Sequence, residues 1–431
     1  MPYRKVTYRL YPNQEQAEKL GETLGLHCRL YNTALEERIR FYRETGKSLT
    51  YVEQAKALTQ WRKQVPALAK VNAQSEQVTL TRLDLAFKAF FRRVKNGETP
   101  GFPRFKSERR YPGWGYKTHG DGWKLHPLQG ANPLQGANST EKAHGRIYLQ
   151  HIGIIPMRGK ARQPGVPVTC EILRKAGKWY ASVTLEVEAI QRERGTEMAA
   201  FDWGLTDFLT IATANGVETV SNPRHLRRQL AELKRLGQEV SRKIRYAQSA
   251  SGKKKGFNVS GNLRRAIQHL ARLQAKVAQQ RKDFMHQTSA WLVKRFGALA
   301  TEALAVKQMV KQGGAHKKGL NREIHAAAPA TFLAMTRTKA EEAGSWYEEA
   351  PTRQIKPTQR CHGCWKLPSK KKTLSDRIHQ CDCGVCCGRD ENAAKVLLRW
   401  LEASLAGREP SEVWSSGSLT ALKHETTPIA A

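Results

Sequence analysis

Two sets of residues in this 431-residue chain have the types and spacing to do chemistry. The first is a trio of carboxylates: Asp202 closes an apolar run, Glu302 sits within another, and Asp390 opens a helix-like stretch at GRDENAAKVLL. A carboxylate in an apolar strand is costly unless it is paired or binds a cation. Pairing with Lys or Arg accounts for any single one of them. Together, two strands and a helix start that converge would supply what a pair of Mg²⁺ ions requires, namely a few carboxylates with water and substrate phosphate completing the shells. Two such ions, roughly 3.5–4 Å apart, activate water and stabilise the leaving oxygen in phosphodiester cleavage.

The second set is cysteine. CHGC at 361–364 and CDCGVCC at 381–387 form two knuckles separated by 16 residues, the pattern of a zinc ribbon in which four thiolates close a structural site. Spacing alone leaves the register open. Cys361, Cys364, Cys383 and Cys386 give two regular C-x2-C pairs, whereas Cys381 with Cys383 gives a shortened C-x-C; His362 and His379 are substitute ligands. Six of the eight cysteines fall in this segment, which in a reducing compartment favours metal over disulfides. Cys28 and Cys170 stand alone and read as small buried hydrophobes.

The elements that must position these groups follow from periodicity. Val6, Tyr8 and Leu10 alternate as a strand that Pro12 ends, and Asn13 caps a helix whose stripe runs from Ala17 to Ile39; a similar stripe spans Val78 to Val94. The Gly-, Pro-, aromatic- and Arg-rich stretch at 101–123 suits base stacking with phosphate pairing, or ordinary turns. PLQGAN at 127–132 is repeated at 133–138, two copies being too few for a solenoid and best read as a surface-loop duplication. CEIL and WYASVTLEVE flank Ala176-Gly177 as a hairpin, and MAAFDWGLTDFLTIATANGVETV reads as a three-stranded meander that delivers Asp202. Leucine stripes at 226–240 and 263–277 mark two helices with Arg and Lys on their other faces, joined by SASGKKKGFNVSGN; such a pair faces nucleic acid or solvent. GALATEALAV at 297–306 is the strand of Glu302, followed by an Ala-rich helix, the cysteines, a helix from Asp390 to about Ala403, and a polar tail from 405.

Lys and Arg number 73 against 38 Asp and Glu, a formal charge of +35, far beyond what solubility requires. A polyanion partner is expected. A compact DNA-binding module neutralises on the order of 6–10 phosphates, so this excess suggests a long nucleic acid or two strands at once. No uninterrupted apolar stretch approaches about 18 residues and the start MPYRKVTYRL lacks a signal core, so no membrane partner and a cytoplasmic location are expected.

The order FDWGLTDF, TEALAVKQM, TQRCHGC, CDCG and GRDENAA resembles the TnpB family of transposon-encoded RNA-guided nucleases, relatives of the type V CRISPR effectors. YRLYPNQEQAEKL, FFRRVK, GFPRFK and QQRKDFMHQTSAWLV are also similar to that family, so the resemblance spans nearly the whole chain. It implies an α+β fold: a β-barrel-like wedge domain (1–12 and 100–195) interrupted by a helical recognition lobe (13–99), then an RNase H-like (RuvC) nuclease domain (196–350 and 389–404) with a helical insertion at about 225–295. An inserted zinc ribbon (351–388) and a disordered tail (405–431) complete it. The family's catalytic acids map onto Asp202, Glu302 and Asp390, holding two Mg²⁺. Anchoring the register on Asp390 selects Cys361, Cys364, Cys381 and Cys383 for one Zn²⁺, with Cys386 the alternative. Gly388 replaces the first Asp of the family's DRDxNAA, and Trp365 stands where a knuckle commonly ends in Gly, while Gly384 keeps the second. The implied function is RNA-guided cleavage of double-stranded DNA beside a short transposon-associated motif, by a monomer carrying one guide RNA from the transposon end. The rivals are a DDE-type transposase that joins DNA ends and a cleavage-inactive, RNA-guided repressor.

Overall fold

The computed structural model describes residues 3–126, 144–158, 165–253, 257–311, 313–373 and 375–408; the PLQGAN repeat and the tail beyond 408 lie outside the described residues. The chain divides into two units, Met1–Ala189 and Ile190–Ala431.

In the first unit, β1 (Tyr3–Leu10) is followed by four helices, α1 (Gln14–Thr45), α2 (Tyr51–Gln64), α3 (Pro66–Ala69) and α4 (Ala73–Lys95). Asn13 and Gln16 exchange a capping box at the start of α1, 2.8 and 3.2 Å, as Thr50 and Glu53 do for α2. After a single turn of 3-10 helix come β2 (Gly113–Tyr116), β3 (Trp123–His126), β4 (His144–Leu149), β5 (Gly153–Arg158), β6 (Val166–Lys175) and β7 (Lys178–Glu186). They make one antiparallel sheet in the order β2-β6-β7-β1-β5-β4-β3. No ladder joins its edges β2 and β3 into a closed barrel among the described residues. Leu20, Leu24, Leu35, Leu80 and Leu83 from the helices share one core with Trp114 and Trp123 from the sheet.

The second unit opens with the expected meander, β8 (Glu197–Trp203), β9 (Asp207–Thr213) and β10 (Gly216–Ser221), turned at Asn215-Gly216. Helices α5 (His225–Arg228), α6 (Leu230–Ser251) and α7 (Gly261–Arg295) lead into β11 (Phe296–Glu302), then α8 (Val306–Met309), α9 (Ala315–Ala327) and α10 (Pro329–Ala343). The Ala-rich helix is thus two, broken where Ala328 turns left-handed (φ 51°) before Pro329. A strand that hydrophobic periodicity does not announce, β12 (Trp346–Ala350), pairs with β11, and α11 (Thr352–Ile355), β13 (Ile378–Gln380), β14 (Cys386–Gly388) and α12 (Arg389–Ala406) finish the unit. The sheet order is β10-β9-β8-β11-β12, with β11 parallel to both neighbours. Strand β11 is shorter than expected and ends at Glu302, the last rung of its parallel ladder with β12 being the bond from the Ala303 amide to the Ala350 carbonyl (3.0 Å).

The two faces of this sheet differ in side-chain size. Phe201, Leu299 and Ile211 pack against Leu292 of α7 and Phe332 and Leu333 of α10. On the other face Ala200, Ala212, Ala298 and Ala300 meet Ala394, Leu397, Leu398 and Leu401 of α12. Alternation along a strand sorts large residues to one side and alanines to the other, and the small side chains let α12 lie close. No helix among the described residues is long and apolar enough to cross a membrane.

Candidate active site and cysteine ribbon

Thr301 pairs with Phe201 in the parallel register of β11 and β8, so the next residues, Glu302 and Asp202, are neighbours on adjacent strands. Both lie two residues beyond alanines of the face that α12 covers, and therefore on that same face. Asp390 stands in the first turn of α12. Three distant segments thus deliver the three expected acids to one end of the sheet. Asp202 is 8% exposed, and burial, followed by the negative charges of Glu302 and Asp390, holds its carboxyl well above the usual range; Arg389 offsets part of this. Burial also raises Glu302, opposed by a hydrogen bond from Thr352. Asp390 is the open member, its side chain 42% exposed with Arg389 Nε 3.3 Å from its Oδ1. No group of three carboxylates closes to within 4.8 Å among the described residues. Acids gathered this loosely at a strand end fit a site whose cation shells are completed by water and phosphate rather than an all-protein cage.

The cysteines do close. The sulfurs of Cys361, Cys364, Cys381 and Cys383 all lie within 4.8 Å of one another, with Cys361–Cys383 at 3.6 Å and Cys364–Cys381 at 3.5 Å. A tetrahedron with Zn–S bonds of about 2.3 Å has edges of about 3.8 Å, so the donor set fits that ion. Backbone amides reinforce the sites: burial pushes the Cys361 thiol up to about 12 against N–H groups of Cys364 and Gly363, while the Val385 amide, then Cys381, lowers Cys383 to about 7. Cys386 lies exposed in β14, outside the cluster. Neither histidine joins it: His362 Nδ1 is 3.0 Å from Asn392 Oδ1, and His379 Nδ1 contacts Lys372 Nζ. Gly384 takes φ 90°, and Trp365, in the place of the usual glycine, takes the left-handed φ of 61°.

Two residues bind the first knuckle to α12: Asn392, which stands within GRDENAA but has no role assigned from the sequence, and Arg399, which no motif singles out. Asn392 is fully buried and bonded to His362 and to the Arg360 carbonyl; Arg399, 3% exposed, donates to the carbonyls of His362 and Gly363. Their signal in the sequence is a polar pair seven residues apart on an otherwise apolar helix face. Elsewhere, Lys243 of α6 with Arg265, His269 and Arg272 of α7 line an open polar cavity of about 380 Å³.

Against known proteins, residues 182–313 match the OrfB_IS605 family model, described as "Probable transposase", and residues 330–397 match "Cas12f1-like, TNB domain". A "Putative RNA-guided DNA endonuclease" of Streptomyces pristinaespiralis is 29% identical over 94% of this chain and 91% of its own. The Escherichia coli protein named "Putative RNA-guided DNA endonuclease InsQ" is 24% identical over 74% of this chain and 72% of its own, and "TnpB-like protein L79" of Acanthamoeba polyphaga mimivirus is 23% identical over 49% and 38%. Across these comparisons the chain is similar to proteins of the TnpB-like family. Its fold is similar to that of a chain in "Cryo-EM structure of the Cas12f1-sgRNA-target DNA complex", with TM-score 0.50 and 14% identity over 90% of this chain and 83% of that one. Residues 1–47 also match a helix-turn-helix model, although here they form one strand and one continuous 32-residue helix.

Proposed function

We propose that this protein is an RNA-guided endonuclease that cuts double-stranded DNA beside a short transposon-associated motif, with Asp202, Glu302 and Asp390 as its metal-binding catalytic acids. The observation that carries the reading is the convergence of these acids at one end of a five-stranded sheet in the order β10-β9-β8-β11-β12. A meander followed by two parallel strands and a covering helix is the arrangement expected of an RNase H-like nuclease domain. The names of the relatives over more than nine-tenths of the chain support the RNA-guided class.

Two Mg²⁺ ions held by the three carboxylates would neutralise the scissile phosphate and activate the attacking water. Asp202 is the group most in need of a cation, being buried against charges of its own sign, and Asp390 is the one open to substrate. Water forms the new P–O bond as the bond to the leaving oxygen breaks, so no side-chain nucleophile is required. Zn²⁺ held by Cys361, Cys364, Cys381 and Cys383 would be structural, since four protein thiolates leave it no open position. Guide RNA from the transposon end supplies sequence by base pairing while the protein reads the short motif and duplex shape. The +35 charge and the basic groove between α6 and α7 suit an RNA and a DNA partner together, in a cytoplasmic monomer with one RNA.

Sequencing the RNA that copurifies with protein expressed from its own locus, then cutting a randomised-flank DNA library with and without RNase, tests the proposal. Cleavage directed by the RNA's end, abolished by RNase and by Glu302→Ala, is expected. Guide-independent cutting at a fixed site or joining of DNA ends would replace it with the transposase reading, which the OrfB_IS605 description favours. Binding without cutting in Mg²⁺ would replace it with the repressor.

A further inference from the structure

The contacts between α12 and the first cysteine knuckle bear on the same active site, a link that rests on Asp390 being a catalytic acid. Asp390 and Asn392 are two residues apart on α12, about 200° around the helix, so they address different surroundings. Asp390 faces the acids at the strand ends. Asn392 faces the knuckle, where its Oδ1 accepts from the His362 amide (3.1 Å) and its Nδ2 donates to the Arg360 carbonyl (2.7 Å). Two turns on, Arg399 Nη1 donates to the carbonyls of His362 (2.8 Å) and Gly363 (2.7 Å). The Trp365 ring lies under two guanidiniums, 5.0 Å from Arg360 and 5.1 Å from Arg399. That stack accounts for a tryptophan where backbone geometry favours glycine. Deeply buried polar groups cost free energy unless bonded, so Asn392 and Arg399 hold α12 at one setting only while residues 360–363 are folded as a knuckle.

We propose that Asn392 and Arg399 are positioning residues that make the folded cysteine knuckle part of the active site, fixing the start of α12 so that Asp390 stands beside Asp202 and Glu302. Metal binding at the ribbon folds the knuckle, and through these bonds it sets the geometry of a second, catalytic metal site.

The test uses the full-length ribonucleoprotein. Asn392→Ala should retain its zinc by elemental analysis and bind guide RNA and target DNA within about twofold of the parent. Its affinity for Mn²⁺, read from free Mn²⁺ by electron paramagnetic resonance, should fall about 10- to 100-fold, the range seen when a partner orienting a metal ligand is removed. Cleavage should recover in excess Mn²⁺, and amide exchange at 390–393 should quicken. Asn392→Asp, which keeps the acceptor for the His362 amide, should restore part of the affinity. Trp365→Gly, free of the positive-φ penalty but lacking the stack, should shift it in the same direction by less. Unchanged Mn²⁺ affinity in zinc-replete Asn392→Ala and Trp365→Gly would overturn the proposal, as would loss of zinc or stability in both with Mn²⁺ affinity intact. Asp390→Ala is the control: if it cuts normally the active-site reading fails, whereas an inactive Asp390→Ala beside an unaffected Asn392→Ala sinks only the coupling.

Discussion

Both units bury charged side chains, but to opposite ends. In the first, Arg38 donates to Gln54 (2.7 Å) and lies 3.3 Å from Asp84, Arg62 pairs with buried Glu76, and His27 sits between Thr79 (2.8 Å) and Ser75 (3.3 Å) while stacking on Trp114. Each of these groups meets a partner of complementary chemistry, and each ties one helix of the lobe to another. In the second unit Asp202 is as deeply buried, yet two of the charges acting on it share its sign. A polar core of the first kind specifies which surfaces pack together. One of the second kind costs stability unless a cation is bound there.

That contrast is broken most directly at Asp202. Asp202→Asn should reduce cleavage by at least about 10³-fold and raise the thermal midpoint of the metal-free protein by about 2 °C or more, since a buried charge repelled by its neighbours is gone. A lowered midpoint in differential scanning calorimetry would show that Asp202 is paired like the charges of the first unit. The converse change, Arg38→Met, strips Gln54 of its donor and leaves Asp84 with Lys88 alone, and should cost about 1–3 kcal/mol in denaturant unfolding, while cleavage by the remaining folded protein is unaltered.

Between these lies the alanine face. Ala394→Leu adds bulk where α12 meets Ala200 and Ala300, and should cost about 1–3 kcal/mol with a loss of cleavage that the equally destabilising Arg38→Met does not show. Equal activity in both would mean that the spacing of α12 from the sheet does not matter to the acids. A further effect is a pH dependence. Burial, then the Arg82 charge, pushes His27 down to about 3, below its unfolded value of about 6.5. Between those values the unfolded chain binds a proton the folded one refuses, so stability is complete above pH 6.5 and is lost as pH falls towards 3. His27→Gln should flatten this slope in thermal unfolding from pH 7 to 4.

The sequence was legible where information is local. Caps at Asn13, the hairpin at Ala176-Gly177, the meander to Asn215-Gly216 and the clustered cysteines each depend on a few adjacent residues, and each stands where it was expected. The convergence of the three acids was also readable, because carboxylates at the ends of apolar strands and at a helix start are conspicuous wherever the chain goes. Strand β12 was not: WYEEA carries two glutamates and becomes a strand only by lying parallel to β11. The end of β11 was misjudged for the same reason, its apolar run continuing in sequence after the ladder had stopped. The roles of Asn392, although it stands in GRDENAA, and of Arg399 were not legible, since their partners come from a loop some thirty residues earlier whose own fold depends on cysteine geometry.

The order in which the acids occur has a consequence in time. Asp202 leaves the ribosome on a meander that can pair from its own neighbours, Glu302 follows a hundred residues later beyond the long helices α6 and α7, and Asp390 comes on α12, near the end of the chain. At about 5–20 residues per second, on the order of 10–40 s separate the first acid from the third. For about the later half of that interval the nascent chain displays its basic hairpin while the three acids are not yet together, and the alanine face still waits for its helix. On the proposed function, newly made protein would meet nucleic acid before it could cut any, and a chain broken off short of α12 would bind without cutting.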